Sequence, residues 1–294
     1  MARENPAILI TGAAGKTGAA VIRRLAPTGA AMRAFVRRAE QREIVAGAGA
    51  GDIVEGDLRS REAVASAVRG VESIYHICPN VHPDETGIGR RVIAAALAAG
   101  VERIVYHSVL HPQVEAMPHH WAKMRVEELL FESGLDYTIL QPAPYMQNLL
   151  GQWRSITEQA VYRVPYALDS RVVMVDLEDV AEAAVRVLTE SGHTGATYEL
   201  CGPDAPDQNE IARALGAALG RSVRAVAVSP RQWAEDADAA GLGNDRIETL
   251  LAMFSYYESF GMAGSPRALE HLLGRPPCGL AEFFDRVASS AGAP

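Results

Sequence analysis

Cysteine is scarce in this chain, and its cysteines are badly placed for pairing. Cys78, Cys201 and Cys278 are odd in number and lie far apart in the sequence. This pattern excludes a disulfide framework and the C-x-x-C spacing of zinc and redox sites. No carboxylate or cysteine completes a ligand set around the histidines either, so we expect no metal. A reducing compartment, the cytoplasm, fits this cysteine usage.

Long hydrophobic runs are also missing. The longest apolar stretch, residues 92–101, is far shorter than the ~20 residues that a membrane-spanning helix needs. The opening residues, MARENPAILI, lack the pattern of a signal peptide. We therefore expect no membrane association.

Basic charge is under-represented. The 28 Lys and Arg residues are outnumbered by 36 Asp and Glu residues, which gives a net charge of −8. An acidic balance is a poor match for a phosphate backbone, so we expect no nucleic-acid partner. The length of 294 residues and the hydrophobic content of 48% favour one large globular domain, or a nucleotide-binding domain with a smaller companion.

The sequence does have a glycine motif at its first strand–helix junction. Apolar residues 7–10 predict a buried strand, and Gly12, Gly15 and Gly18 lead from it into a helical pattern. In that context the glycines permit a tight turn, a close approach to a pyrophosphate, and close packing of helix on strand. The alternative is a glycine-rich turn without a ligand. The predicted cofactor cradle comprises Thr11, Gly12, Ala14, Gly15, Lys16, Thr17 and Gly18.

The acid that marks many NAD-specific sites is absent. A strand predicted over residues 31–36 is followed by Arg37 and Arg38, with no acid before Glu40. An acid there bonds the ribose 2′-hydroxyl of NAD, whereas arginine suits the 2′-phosphate of NADP. We therefore predict NADP as the cofactor and NAD as the second choice. The alternative is that both arginines are solvated surface charges.

Strands and helices alternate along the first half of the chain. This predicts a Rossmann-type α/β fold, a doubly wound parallel sheet that binds ligands beyond the carboxyl ends of its strands. Further strands are predicted at residues 53–58, 71–77, 103–108 and 137–140. Asp57 and Leu58 follow one strand on the expected adenine side, although Asp57 is equally suited to cap a helix. Cys78 and Pro79 follow the next strand, on the expected nicotinamide side.

The second half of the chain has a looser pattern. We predict a Rossmann domain over residues 1–150, to which 172–190 returns, and a smaller α/β substrate cap over 151–294. A strand is predicted at 172–175. An aromatic and methionine-rich stretch at 253–262 is interpreted as core or as the surface of a homodimer, and the alternative is a wall of the substrate pocket.

Several segments together resemble the NmrA-like branch of the atypical short-chain dehydrogenases. The most specific is HHWAKMRVEELLFESGLDYTILQP at 119–142, and the others are 11–18, 36–38, 54–58, 145–148, 172–184 and 198–221. The resemblance implies a Rossmann domain that binds NAD(P). It also implies one of two functions, namely reduction of quinones or related carbonyl substrates, or non-catalytic redox sensing by a protein that binds a regulator.

The chain departs from this family at two points. Short-chain enzymes use Tyr-x-x-x-Lys, whereas this sequence has His119 four residues before Lys123. The family's Arg-Pro after the sixth strand is Gln141-Pro142 here. The first departure removes the usual tyrosine acid, and the second removes a charge beside the expected pocket.

Three residues are candidates for catalysis. Lys123 is expected to form a hydrogen bond with the nicotinamide ribose. His119 lies one helical turn earlier and is expected to donate a proton at neutral pH. His120 is the alternative proton donor. Ser108, after the fifth strand, is expected to bond a substrate carbonyl. The alternatives are a solvated lysine, histidines with structural bonds, and a serine that closes a turn.

Tyr145, Asn148 and Gln141 are the candidates for substrate contact. An aromatic side chain at this place suits a flat, quinone-like substrate, although interdomain packing explains it equally well. The leading hypothesis is an NAD(P)H-dependent oxidoreductase that reduces a quinone or an aromatic carbonyl compound. The alternatives are a non-catalytic NAD(P) sensor with a protein partner, and a tailoring enzyme for a polycyclic aromatic secondary metabolite.

Overall fold

The computed structural model describes residues 7–291, and these divide into two compact units. The first, which we call the cofactor unit, contains the residues up to Gln113 together with His119–Gln141 and Val180–Tyr198. The second unit contains Val114–Pro118, Pro142–Asp179 and the residues from Glu199 onward. The first part of the cofactor unit, interrupted only by Val114–Pro118, thus ends at Gln141, whereas the sequence analysis predicted a boundary at residue 150.

Nine strands form two sheets within the described residues. The strands are β1 Ala7–Ile10, β2 Met32–Val36, β3 Asp52–Glu55, β4 Val71–His76, β5 Arg103–His107, β6 Asp136–Pro142, β7 Val161–Val164, β8 Ala196–Leu200 and β9 Arg224–Ala227. The large sheet has the order β3-β2-β1-β4-β5-β6-β8, and every pairing from β3 to β6 is parallel. The predicted Rossmann-type doubly wound sheet is therefore confirmed.

Twelve α-helices connect and cover these strands in the described part of the chain. They are α1 Lys16–Leu25, α2 Arg42–Ala48, α3 Arg61–Ala67, α4 Glu85–Ala99, α5 Pro118–Phe131, α6 Trp153–Gln159, α7 Leu177–Thr189, α8 Gln208–Ala218, α9 Pro230–Ala239, α10 Asn244–Phe260, α11 Arg267–Leu273 and α12 Leu280–Ala291. No helix in the described range is long and apolar enough to span a bilayer.

The central strands of the large sheet are apolar on both faces because helices cover both. Leu9, Ile74, Ile104 and Ile139 come from four different strands and lie in one buried cluster. Continuous apolar runs of this kind are typical of parallel strands buried on both sides. The register aligns the carboxyl ends of β1, β4 and β5, so the residues that follow these strands meet at one edge of the sheet.

The weakest sequence prediction concerned the second unit. Residues 172–175 do not form a strand, because their two ends pair with different segments. Val172 bridges Met262, and Val175 bridges Tyr145. The sequence analysis also missed β7, which pairs in parallel with β9.

A separate hydrophobic core holds the second unit together. Met146, Ile156, Leu215 and Phe284 are all buried in this cluster. The capping box of α8 fixes one helix of the cluster, with the Asp207 carboxylate accepting from the Glu210 amide at 2.7 Å. The second unit therefore has its own packing and does not depend on the large sheet for a core.

Candidate functional site

The glycine loop between β1 and α1 is too tightly packed for side chains at two positions. Gly12 has a φ of +59°, and a Cβ there would lie 2.9 Å from the carbonyl oxygen of Ile77. A Cβ on Gly18 would lie 2.5 Å from the carbonyl oxygen of Gly12. Glycine at both positions lets α1 start directly against the turn, as the sequence predicted.

The first turn of α1 is suited to an anion. Gly15 is the N-cap of α1, so no side chain caps the first N–H groups of the helix. The first turn contains no acidic residue. Gly15 and Lys16 are exposed. The first N–H groups of a helix lack intrahelical partners and carry the positive end of the dipole, so a pyrophosphate fits here. Ala14 and Thr17 lie in the same segment, and their contact with a cofactor stays a prediction.

Thr11 connects the ends of two neighbouring strands. Its hydroxyl donates to the carbonyl of Ile77 at 3.0 Å and accepts from the Ile77 amide at 2.9 Å. Its Oγ1 also lies 2.9 Å from Nδ1 of His76. Thr11 is buried, and its bonds to Ile77 fix the start of the glycine loop. Its direct contact with a cofactor stays a prediction.

Two exposed arginines follow β2. The Gln41 side-chain oxygen accepts from the backbone amides of Arg37 and Arg38 at 2.9 and 3.1 Å, which fixes the turn after the strand. Both guanidinium groups remain exposed. This arrangement leaves the arginine side chains available to a 2′-phosphate.

Asp57 lies in the turn after β3 and does not cap the next helix. Ser60 is the N-cap of α3, with Oγ accepting from the Ala63 amide at 3.2 Å, so the capping alternative for Asp57 is wrong. The Arg59 side chain, its backbone amide and the charge of Arg37 lower the pKa of Asp57 to about 2. The carboxylate is therefore ionised and partly engaged by Arg59 at neutral pH. Leu58, next to it, is buried in the core of the cofactor unit.

Cys78 and Pro79 follow β4 but differ in their surroundings. Pro79 is exposed, and Cys78 is buried. Burial and the nearby Glu85 carboxylate raise the pKa of the Cys78 thiol. The thiol is therefore neutral and packs as a small apolar group.

Lys123 lies at the centre of a buried polar cluster. Its Nζ donates to Glu85 Oε1 at 3.0 Å and to the carbonyl of His107 at 3.1 Å. It also lies 5.3 Å from the ring centroid of Tyr106, whose hydroxyl donates to Glu85 at 2.9 Å. The lysine side chain is only 12% exposed, so the alternative of a solvated lysine does not hold.

Two histidines begin the same helix. The rings of His119 and His120 lie 4.4 Å apart in an edge-on arrangement. Burial is the main cause that lowers the pKa of His119 to about 3 and that of His120 to about 4. His120 Nδ1 lies 3.2 Å from the carbonyl of His111, whereas His119 Nδ1 is buried without a partner in the described structure. Both imidazoles are therefore neutral at pH 7 and are poor proton donors.

A second buried carboxylate completes the cluster. Ser108, directly after β5, donates its hydroxyl to Glu127 Oε1 in a short contact. The Gln141 amide nitrogen lies 3.0 Å from each oxygen of the same carboxylate. Burial raises the pKa of Glu127, and the bonds from Ser108 and Gln141 partly oppose that rise. Gln141 thus uses its amide to hold Glu127, and its contact with substrate stays a prediction.

Comparison with known proteins fixes the family. Residues 4–283 match the NmrA-like family. The chain belongs to the NmrA-like family. The resemblance found in the sequence is therefore confirmed over nearly the whole chain.

Two sequence relatives and one solved structure illustrate the similarity. The NAD(P)H azoreductase of Xenophilus azovorans is 30% identical over 97% of this chain and 99% of its own length. Quinone oxidoreductase 2 of Escherichia coli strain K12 is 31% identical over 95% of this chain and 98% of its own length. A solved structure of an NADPH-dependent quinone oxidoreductase from Escherichia coli in complex with NADPH has a TM-score of 0.84 and 30% identity. The superposition with that structure covers 95% of this chain and 99% of the quinone oxidoreductase chain.

The two substrate candidates beyond β6 belong to the second unit of this NmrA-like chain. Tyr145 is half-buried at the start of a 3-10 helix over Met146–Gln152, and Asn148 is exposed within that helix. Their contact with a substrate stays a prediction.

The sequence analysis missed Glu85 and Glu127. Glu85 begins α4, and Glu127 lies one turn after Lys123 on α5. The i, i+4 spacing of Lys123 and Glu127 was a usable signal. Metal-binding groups of histidine, cysteine and acidic residues are absent from residues 7–291.

Proposed function

We propose that this chain is an NAD(P)H-dependent oxidoreductase that prefers NADPH and reduces a quinone or an aromatic carbonyl compound. The observation that carries the proposal is the glycine cradle at α1 together with Lys123, both within the cofactor unit. Two of the relatives, the azoreductase and the quinone oxidoreductase, are named for reactions of this type.

The preference for NADPH rests on the residues after β2. Arg37 and Arg38 are exposed at the position where an acid would select NAD. Guanidinium groups bind phosphate oxygens in a bidentate manner and remain charged at all physiological pH values. The relative solved with NADPH supports the same choice.

The remaining roles follow from the cluster around Lys123. NADPH, when bound, supplies the hydride, so the protein has to bind, orient and deliver a proton. In this proposal Lys123 forms a hydrogen bond with the ribose of the cofactor, and Ser108 forms one with the substrate oxygen. We assign His119 the role of a neutral N–H donor that orients the substrate. Its low pKa keeps the imidazole uncharged at pH 7.

A turnover assay tests the proposal directly. We expect the purified chain to oxidise NADPH in the presence of a soluble naphthoquinone, and to do so faster than NADH at equal concentration. Tyr145→Ala and Asn148→Ala test the substrate candidates, and each should raise KM for the quinone more than it lowers kcat. The proposal fails if no member of a panel of quinones, aromatic ketones and azo compounds supports turnover.

A second candidate function is the non-catalytic sensor. It is supported by the absence of a tyrosine four residues before Lys123, where this chain has His119. This candidate predicts NADPH binding without turnover, together with a partner that is retained in a pull-down only when the cofactor is present. Turnover with no such cofactor dependence would eliminate it.

Two further expectations belong to this proposal. We expect a cytoplasmic location, since Cys78, Cys201 and Cys278 are all buried as free thiols. We also expect a homodimer, which size-exclusion chromatography with light scattering would detect.

A further inference from the structure

We propose that Glu127 holds the proton that the reduced substrate receives, and delivers it through the hydroxyl of Ser108. This inference rests on the proposed reductase function and assigns its missing proton source. Glu127 acts through Ser108 and does not itself touch the substrate.

The partners of Glu127 are neutral. Its carboxyl group contacts the hydroxyl of Ser108 and the amide of Gln141, and the residue is only 2% exposed. No ion pair reaches Glu127 within the described part of the chain. A buried carboxylate without a cation is costly, and the usual outcome is that it takes up a proton.

The charges around the cluster leave this proton on Glu127. Lys123 is the cation whose charge acts on Glu127, but its ammonium group is bonded to Glu85 and to the carbonyl of His107. The hydroxyl of Tyr106 also donates to Glu85. Glu85 therefore has two donors, one of them charged. Glu127 has no ion-pair partner among the described residues, so it is the carboxyl group to which we assign the proton.

Several elements contribute polar groups to the cluster that contains Glu127. Lys123 lies on the same helix and Glu85 on α4. Tyr106 lies in β5, Ser108 directly follows that strand, and Gln141 lies in β6. Burial raises the pKa of Glu127, and Lys123 is the charged group that opposes the rise. The neighbouring histidines His107 and His119 are neutral at pH 7 because burial lowers the pKa of each to about 3.

The geometry supports a two-step relay. A hydroxyl both donates and accepts, so the Ser108–Glu127 contact can be made by a carboxylic acid that donates to Oγ. As the substrate carbonyl accepts a hydride, its oxygen becomes negative. The Ser108 O–H bond then breaks and a new O–H bond forms on the substrate oxygen. The O–H bond of Glu127 breaks in turn, Ser108 regains a hydrogen, and Glu127 is left as a carboxylate until solvent reprotonates it.

Carbon-13 NMR of carboxyl-labelled glutamate tests whether the proton is there, without any need for turnover. Glu127→Gln identifies the signal, because that signal disappears from the variant. We expect the Glu127 signal at the position of a carboxylic acid at about pH 7, and we expect Gln141→Arg to convert it to a carboxylate by placing a cation at hydrogen-bond distance. A carboxylate signal in the unmodified protein at about pH 7 overturns the proposal.

Turnover then tests whether the proton is used. Glu127→Gln keeps the hydrogen bonds to Ser108 and Gln141 but has no acidic proton, so kcat should fall by about 10²-fold with KM for a naphthoquinone unchanged. In the unmodified protein kcat should fall at high pH as Glu127 loses its proton, and this fall should be absent from Glu127→Gln. Glu128→Gln, one residue along on the exposed side of α5, is the matched control and should leave kcat unchanged.

The possible results separate this proposal from the proposed function. A carboxylic-acid signal combined with an unaltered pH profile in Glu127→Gln overturns the relay while leaving the reductase function intact. An unmodified protein that fails to turn over any substrate overturns the reductase function, and with it the relay, even if the NMR signal shows a protonated Glu127. A carboxylic-acid signal together with the altered profile supports both.

Discussion

Lys123 forms an ion pair with Glu85, and removing one of the two partners would destabilise the folded protein. Its side chain and that of Glu85 are both largely buried, and the two charges lie 3.0 Å apart. Removing one partner of a buried pair leaves an uncompensated charge, which costs about 3–5 kcal/mol, whereas removing both costs much less. The lysine that we expect to hold the cofactor ribose therefore also stabilises the cofactor unit.

A double-mutant cycle on this pair is the first prediction. We expect Lys123→Met to lower the free energy of unfolding by about 3 kcal/mol and Lys123→Met with Glu85→Gln to recover at least half of that loss. Urea denaturation of the four proteins measures both values. Additive losses from the two single variants would show that Lys123 and Glu85 are not coupled.

The second prediction concerns cofactor choice at one side chain. Arg37→Ala should weaken NADPH binding by about 10-fold or more and leave NADH binding unchanged, because only NADPH carries the 2′-phosphate. Calorimetric titration with each nucleotide measures the two affinities. Arg231→Ala removes an exposed helix arginine of the second unit and is the control, for which neither affinity should change. If Arg37→Ala loses the same affinity for both nucleotides, Arg37 does not bind the 2′-phosphate.

At this scale the sequence predicted some residues and missed others for a physical reason. Lys123 was found because it follows a recognisable pattern on a helix. Glu85 and Glu127 were missed because their importance comes from burial and from partners 38 and 19 residues away in the chain. Burial lowers the pKa of His119 to about 3, which the sequence alone could not show and which does not favour the proton-donor role expected of this residue.

The junction of β1 and α1 is the element on which the account depends. The third prediction compares two helical glycines. Gly18→Ala places a methyl group against the backbone of the turn, so we expect a loss of about 1–3 kcal/mol in unfolding free energy and a weaker affinity for NADPH. Gly47→Ala in α2 meets no atom within 4 Å and should stabilise the protein by about 0.5–1 kcal/mol.

Thermal melting and NADPH titration of both variants check this prediction. If Gly18→Ala binds NADPH as tightly as the unmodified protein, close packing of α1 on the turn is not needed for the cofactor. A destabilised Gly47→Ala would indicate that these glycine effects do not follow from local packing.

Elements with strong local signals were predicted well, and those defined by distant partners were not. The bounds of β1 were predicted without error because four apolar residues end at a glycine turn. Residues 172–175 read as a strand by composition, yet their bridges go to Met262 and Tyr145, which lie far away in the sequence. Composition identifies a segment that suits extended structure, but the partner decides whether a sheet forms.

The whole molecule carries several buried neutral histidines. Burial lowers the pKa of His76 and His120 to about 4, and that of His107 and His119 to about 3. In the unfolded chain these groups titrate near ~6.5, so between that value and their folded pKa values the unfolded state binds more protons. Stability is therefore full above about pH 6.5 and is lost as the pH falls toward about 4.

This acid sensitivity is the fourth prediction. Denaturation free energies measured between about pH 7 and about pH 5 should fall steadily, with an uptake of more than one proton on unfolding. His107→Gln removes one of the titrating groups and should reduce that uptake by about one proton. A stability that is independent of pH over this range would contradict the burial of neutral imidazoles.

The central claim is that the backbone at residues 12–18 holds a pyrophosphate and that Arg37 selects the additional phosphate of NADPH. Calorimetric titration of the unmodified protein with NADPH and with NADH tests this claim most directly. The account predicts a dissociation constant for NADPH on the order of micromolar and a clearly weaker one for NADH. An absence of binding for both nucleotides at millimolar concentration would contradict it.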